Sequence, residues 1–181
     1  MQKNAEHKTT NYKTILKHIS TFIFDYDGVL TNGDILVTLD GDTLRTINAK
    51  DGYALQYAVK KGLRVIILTG AKSQSIRNRF INLGIKEVYQ GIEDKYDFFI
   101  SFVKNHELDP QNILYMGDDI PDYKVMEMVG MPACPADAAE EIKLISKYIS
   151  DKKGGCGCVR DVLEQSMKLQ GKWMNDEAFI W

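Results

Sequence analysis

Histidine and cysteine are scarce in this chain, three of each in 181 residues, and what they are missing from narrows the chemistry. An odd cysteine count, with two of the three in Cys156-Gly157-Cys158, excludes a disulfide framework. That pair also lacks a second pair at zinc-site spacing, and Cys134 reads as core packing. His7, His18 and His106 lie outside the loops where catalysis is expected below. No window approaches eighteen apolar residues, and the opening MQKNAEHKTTNYK holds no apolar stretch of signal-peptide type, so the expectation is a soluble, cytoplasmic protein with no membrane role. The net charge of -2, from 23 basic and 25 acidic side chains without a dense basic block, argues against nucleic acid as a partner.

What is present suits one globular domain spanning residues 1–181, with 44% hydrophobic and 27% charged residues. Polar residues 1–12 read as frayed, and TILKHI as a short helical lead-in. The apolar run Thr21 to Tyr26 is too short for a helix and reads as a buried parallel strand. Residues 34–48 alternate around Asp40-Gly41, the pattern of an inserted β-hairpin. A helix from Asp51 closed by Gly62, the strand 64–69, a helix through 73–84 and a small strand EVYQ follow. The helix 95–105, the strand 112–116, the helix 122–128 and a short strand at MPACP repeat this grammar. Two last helices are expected at AEEIKLISKYI and VRDVLEQSMKLQG, joined by the glycine-rich link KKGGCGC; residues 154–181 read as a flexible C-terminal tail and helix. Strand, loop and amphipathic helix in repeated succession predict an α/β fold with a doubly wound parallel sheet. The hairpin is too small to form a second core.

In such sheets ligands bind beyond the carboxyl ends of the strands. Three of the expected strand ends carry polar residues: FIFDYDG with Asp25 and Asp27, IILTG with Thr69 and Gly70, and ILYMGDDIPD with Asp118, Asp119 and Asp122. Oxygen-only ligands from Asp25 and the Asp118 cluster suit Mg²⁺, whereas zinc would want cysteine or histidine at these ends. Thr69 and Gly70 offer a hydroxyl and an amide to a phosphoryl oxygen, and Lys95 opens a helix from which it could bring a positive charge. The competing reading is that these acids cap helices, as Asp122 would for the helix after it.

The set DYDGV (25–29), Thr69 in ILTG, Lys95 and GDDIPD (117–122), in this order, resembles the four motifs of the haloacid dehalogenase superfamily of phosphohydrolases. The resemblance implies Asp25 as a nucleophile forming an aspartyl-phosphate, with Asp27 protonating the leaving alkoxide and then activating water. It implies Mg²⁺ held by Asp25, the Asp27 carbonyl and Asp118, with Asp119 and Asp122 as outer supports. Thr69 and Lys95 would hold the phosphoryl oxygens.

DGVLTNG, the hairpin, INAKDGYAL, YQGIEDK and GGCGCVRDV further resemble the family of 3-deoxy-D-manno-octulosonate 8-phosphate phosphatases of lipopolysaccharide sugar synthesis. That likeness, over residues 20–171, implies a sugar-acid phosphate as substrate and no separate cap domain. It also implies a homotetramer joined through hairpins, in which a neighbour and the glycine-rich tail cover the site. An exposed apolar hairpin invites such pairing, the alternative being a hairpin folded back on its own chain. Three arginines usual in the family are replaced here by Lys50, by Ala71 followed by Lys72, and by Cys156. Lysine is a point charge where arginine is a fork. Lys72 is a candidate for the substrate carboxylate or a plain surface residue. Arg160 either reaches a neighbouring site or pairs with Asp161 or Glu164. Ala71 stands where phosphatases of the nine-carbon 2-keto-3-deoxynonulosonate 9-phosphate tend to carry an acid, which favours the eight-carbon substrate. Trp173, Phe179 and Trp181 are expected to pack the C-terminal extension on the body or on a partner.

Overall fold

The structure, a computed structural model, describes residues 11–179; the stretch expected to fray lies mostly outside them, as does Trp181. In chain order the elements are α1 (Tyr12–Leu16), β1 (Thr21–Phe24), β2 (Leu36–Val37), β3 (Thr43–Leu44), α2 (Ala49–Lys60), β4 (Arg64–Thr69), α3 (Gln74–Asn82) and β5 (Glu87–Gln90). Then come α4 (Lys95–Asn105), β6 (Ile113–Met116), α5 (Tyr123–Met126), β7 (Met131–Cys134), α6 (Glu140–Ile145), β8 (Tyr148–Ile149) and α7 (Cys158–Leu169).

Six strands form one sheet in the order β5-β4-β1-β6-β7-β8, every neighbouring pair parallel. The chain leaves β1 toward β4 and β5, then crosses back to β6 on the other side of β1. The order therefore reverses around β1, and the chain leaves β1 and β6 toward opposite sides of the sheet, which places a crevice over their carboxyl ends. Period-two alternation splits the core between the two faces. Phe22, Phe24, Val65, Ile67, Leu114 and Met116 pack on one side, with α2 and α7. Ile23, Ile66, Leu68, Ile113 and Tyr115 pack on the other, with α4, α5 and α6. This is the expected doubly wound α/β fold with a hairpin insertion, and among the described residues no further sheet or helical group forms a cap.

One expected helix is half strand. AEEIKLISKYI is helical only as far as Ile145; Ser146 is extended, and Tyr148–Ile149 pair with Ala133 and Cys134 as the edge strand β8. The open edge of β7 has carbonyls needing donors. Lys147 N donates to Pro132 O at 2.9 Å and Ser150 N to Cys134 O at 2.9 Å, which outweighs continuing a short exposed helix.

The start of α7 is held from outside. Its N-cap is Gly157, in the left-handed region at φ 105°, which has no side chain to give the first amides an acceptor. Asp51, in the first turn of α2, supplies it: Arg160 N donates to Asp51 Oδ1 at 2.7 Å. The preceding Gly154 and Gly155, read from sequence as part of a flexible link, lie tight against the loop after β1. Gly155 N donates to Val29 O at 2.9 Å, Gly154 N to Asp137 Oδ1 at 2.9 Å, and a Cβ on Gly154 would stand 1.9 Å from Gly28 O.

The hairpin β2–β3 projects from the body with Leu36 opposite Leu44. Leu36, Val37, Leu39 and Leu44 are all exposed, Leu39 completely.

Candidate active site

Asp25 sits one residue beyond β1, and its amide still donates to Met116 O at 3.0 Å, so the carboxylate starts from a fixed point at the sheet's centre. The chain then turns sharply. Leu30 N and Thr31 N both donate to Tyr26 O at 3.0 Å, and Thr31 Oγ1 accepts from Gly28 N at 3.3 Å and Gly33 N at 3.2 Å. Gly28 makes the turn at φ 82°, and its bare Cα gives room to Asp118: a Cβ there would lie 2.0 Å from Asp118 Oδ2. The loop after β1 and the loop after β6 are thereby pressed together.

Lys95 starts α4, and its buried ammonium bridges two acids, at 2.8 Å from Asp25 Oδ1 and 2.7 Å from Asp122 Oδ1. Asp122 Oδ1 also accepts from the hydroxyl of buried Tyr115 at 2.6 Å, while Oδ2 accepts from Asp118 N at 3.2 Å. Asp122 precedes α5 without a side-chain capping bond, so its carboxylate serves the site and not the helix. Asp119 does the local work, accepting from Ile120 N at 2.8 Å.

Asp25, Asp118 and Asp122 bring one oxygen each to within 4.8 Å of one another. Burial, then the charge of Asp122, raises Asp25 to about 7 against the opposing pull of Lys95. Burial, then the charge of Asp25, raises Asp118 to about 8. One lysine is too little positive charge for three gathered carboxylates, and the all-oxygen donor set is that of a hard divalent ion. The residues fit Mg²⁺.

Two adjoining clefts, of about 440 and 290 Å³, meet over this cluster. Both are lined by Asp25, Asp27, Lys95 and Pro121. Thr69, Gly70, Ala71, Ile92, Glu93 and Arg45 add to the larger, Gly28, Asp118 and Asp119 to the smaller. Thr69 is buried, its Oγ1 accepting from Ala71 N at 3.0 Å.

The structure gathers Asp25, Asp27, Thr69, Gly70, Lys95, Asp118, Asp119 and Asp122 around one crevice. It does not bring Lys50, Lys72 and Arg160 there. Lys72 lies across Gly91, where a Cβ would come within 2.0 Å of its Cε. Lys50 and Arg160 line a separate cleft of about 340 Å³. Arg160 pairs with Glu164 at 3.2 Å and lies over the rings of Tyr53 and Trp173. Two site residues escaped the sequence reading. Tyr115 alternates like any core residue of β6. Arg45, in the hairpin's second arm, forks onto Asp27 with Nε to Oδ1 at 2.5 Å and Nη2 to Oδ2 at 3.2 Å. The charge of Arg45 in an otherwise alternating arm was its one signal.

No protein-family profile matches the chain. Individual proteins do. A 3-deoxy-D-manno-octulosonate 8-phosphate phosphatase, KdsC, of Salmonella typhi is 35% identical over 170 residues, 94% of this chain and 89% of that protein. KdsC of Escherichia coli K12 is 36% identical over 162 residues, 90% of this chain and 85% of that protein. Among solved structures, the Moraxella catarrhalis phosphatase in complex with magnesium, phosphate and KDO superposes with a TM-score of 0.85 at 32% identity, covering 89% of this chain and 92% of that one. The cobalt-bound Haemophilus influenzae phosphatase YrbI gives 0.84 at 26% identity, covering 92% and 99%. By sequence over nearly its whole length, by fold and by its carboxylate cluster, the chain belongs to the haloacid dehalogenase superfamily and is a Mg²⁺-dependent phosphatase closely related to the 3-deoxy-D-manno-octulosonate 8-phosphate phosphatases.

Proposed function

We propose that this enzyme releases inorganic phosphate from 3-deoxy-D-manno-octulosonate 8-phosphate through an aspartyl-phosphate on Asp25. The observation that carries the proposal is the convergence of Asp25, Lys95 and Asp118 at the two central strand ends, in a chain 35% identical to a phosphatase named for that substrate. Ala71 in the cleft wall supports the eight-carbon sugar acid over the nine-carbon one, because phosphatases of the nine-carbon ester tend to carry an acid at this position.

In the first step a carboxylate oxygen of Asp25 bonds to phosphorus as the ester P–O bond breaks, and Asp27 gives its proton to the departing alkoxide. In the second, a water oxygen bonds to phosphorus while Asp27 takes a water proton, and the aspartyl P–O bond breaks to restore Asp25. Lys95, held 2.8 Å from Asp25, offsets repulsion between the nucleophile and the incoming dianion. Thr69 and the Gly70 amide take phosphoryl oxygens. Asp25, Asp118 and the Asp27 carbonyl would hold the cation, whereas Asp122 has both oxygens engaged and acts as their support. Bound Mg²⁺ supplies the charge that keeps these carboxylates ionised and neutralises the phosphoryl group.

We treat residues 1–181 as one cytoplasmic catalytic unit; among the described residues no helix is long and apolar enough to cross a membrane. We assign the unit to a homotetramer that buries the apolar hairpin 34–48 and closes the clefts. Lys50, Lys72 and Arg160 would then meet substrate only across a subunit boundary or after a shift of their side chains. Phosphate release from eight-carbon and nine-carbon keto-sugar-acid phosphates and from hexose phosphates, with and without Mg²⁺, tests the reading. The expected order is the eight-carbon ester first, with no turnover without the cation. Equal rates on hexose phosphates would remove the substrate assignment.

A further inference from the structure

Asp27 stands on the turn between buried Tyr26 and half-buried Gly28, and its own side chain reaches out of that turn, about one-third exposed at 34%. A carboxylate so placed would rotate freely about its own axis, a poor state for a group that must meet one ester oxygen and then one water. Among the described residues a single side chain meets it, that of Arg45. The guanidinium grips both carboxylate oxygens, and its third nitrogen, Nη1, donates to Thr43 Oγ1 at 3.0 Å. Its plane carbon lies 5.9 Å from the centre of the Tyr26 ring. Arg45 itself is only 10% exposed, so the fork is fixed from three sides while facing the larger cleft.

We propose that Arg45 is a positioning residue for the phosphatase reaction: its fork fixes the plane of the Asp27 carboxylate so that one oxygen faces the ester and then the water. The proposal rests on the reading of Asp27 as the proton carrier. Three of its five N–H donors, including the whole Nε–Nη2 edge, are spent on Asp27 and Thr43, so the edge that grips Asp27 is not available to a substrate carboxylate. Because Arg45 follows directly on β3, whatever seats the hairpin also seats this fork.

The test compares Arg45→Ala, Arg45→Lys, Asp27→Asn and the double variant Arg45→Ala/Asp27→Asn on two esters. One is 3-deoxy-D-manno-octulosonate 8-phosphate, whose alkoxide needs a proton to leave. The other is 4-nitrophenyl phosphate, whose leaving group needs little help. In kcat/KM, which reports phosphoryl transfer to Asp25 and not the later hydrolysis common to both esters, the Arg45→Ala enzyme is expected to lose roughly tenfold to a hundredfold on the sugar ester with the aryl ester nearly unaffected, whereas kcat, which includes that hydrolysis, falls on both. Arg45→Lys recovers part of the loss by keeping one contact, and Arg45→Ala adds little to Asp27→Asn. Equal losses of kcat/KM on both esters, a kcat unchanged on both, or full additivity with Asp27→Asn would overturn the proposal. The aryl ester also reports on folding, since a collapsed variant loses both. If Asp27→Asn alone treats the two esters alike, the reading of Asp27 fails, and the role of Arg45 falls with it; if Asp27→Asn discriminates and Arg45→Ala does not, only the latter is lost.

Discussion

Asp122 touches neither the larger cleft nor any reacting atom in the proposed chemistry, yet one oxygen carries two bonds, from Lys95 and Tyr115, and the other receives the Asp118 amide. It orients the Lys95 ammonium on one side and the loop that carries Asp118 on the other. Tyr115→Phe removes one of these bonds without leaving a void, and the buried carboxylate keeps Lys95. The expected cost is about 1 to 2 kcal/mol in urea unfolding, with a severalfold lower kcat; unchanged stability and turnover would mean that Asp122 is held without the hydroxyl. At this scale legibility depended on place in the pattern. Asp25, Thr69 and Asp118 each break an apolar run at a strand end, so their types and positions announce them. Tyr115 falls in step with the core alternation, and Arg45 shows only as a charge in a hairpin arm, with nothing local to tie it to Asp27.

The elements were legible wherever periodicity or caps spoke alone. The strand 64–69 and the helix 95–105 match β4 and α4 to the residue. The edge strand β8 was hidden because its residues continue a helical spacing, and only the unpaired edge of β7, a tertiary fact, selects strand. The segment Gly154-Gly155 was hidden in the opposite way, since a glycine pair reads as slack when nothing shows what lies against it. Here the missing side chains let the link press on the Asp27–Gly28 turn. In Gly154→Ala the new Cβ would fall 1.9 Å from Gly28 O, so backbone must move. The expected result is a loss of about 1 to 3 kcal/mol in stability together with a fall in kcat, measured by thermal unfolding and phosphate release. Stability and turnover both at wild-type level would show that the link does not brace the turn.

Across the whole molecule, stability carries the mark of Asp51. This residue is 1% exposed and one of its oxygens is buried without a partner; burial raises it to about 6, against the amide of Arg160, which pulls it down. The folded state keeps this proton where the unfolded chain, near 3.8, has released it, so folding weakens as pH rises from about 4 to about 6 and stays weakened above. The contribution is roughly 2 to 3 kcal/mol. Asp51→Asn should lack that fall, so its stability relative to wild type improves as pH rises through the window, by urea titration; parallel curves would contradict it. The hairpin acts at the same scale. Leu36 and Leu39, 66% and 107% exposed, are what the proposed tetramer would cover, and Leu36→Lys with Leu39→Lys should lower the mass in sedimentation, where an unchanged mass would place the interface elsewhere. Sequence pattern marked the hairpin as sticky, but the partner face is spread over surfaces no local pattern marks. All these scales converge on one claim, that strand ends far apart in the chain gather so that Asp25 can accept phosphorus. The most direct measurement is a rapid acid quench during turnover, borohydride reduction of any acyl phosphate, and peptide mass mapping. Homoserine is expected at position 25 and none in an Asp25→Asn enzyme, which should also release no phosphate; reduction at another residue, or turnover that survives Asp25→Asn, would mean that phosphorus is not transferred to Asp25.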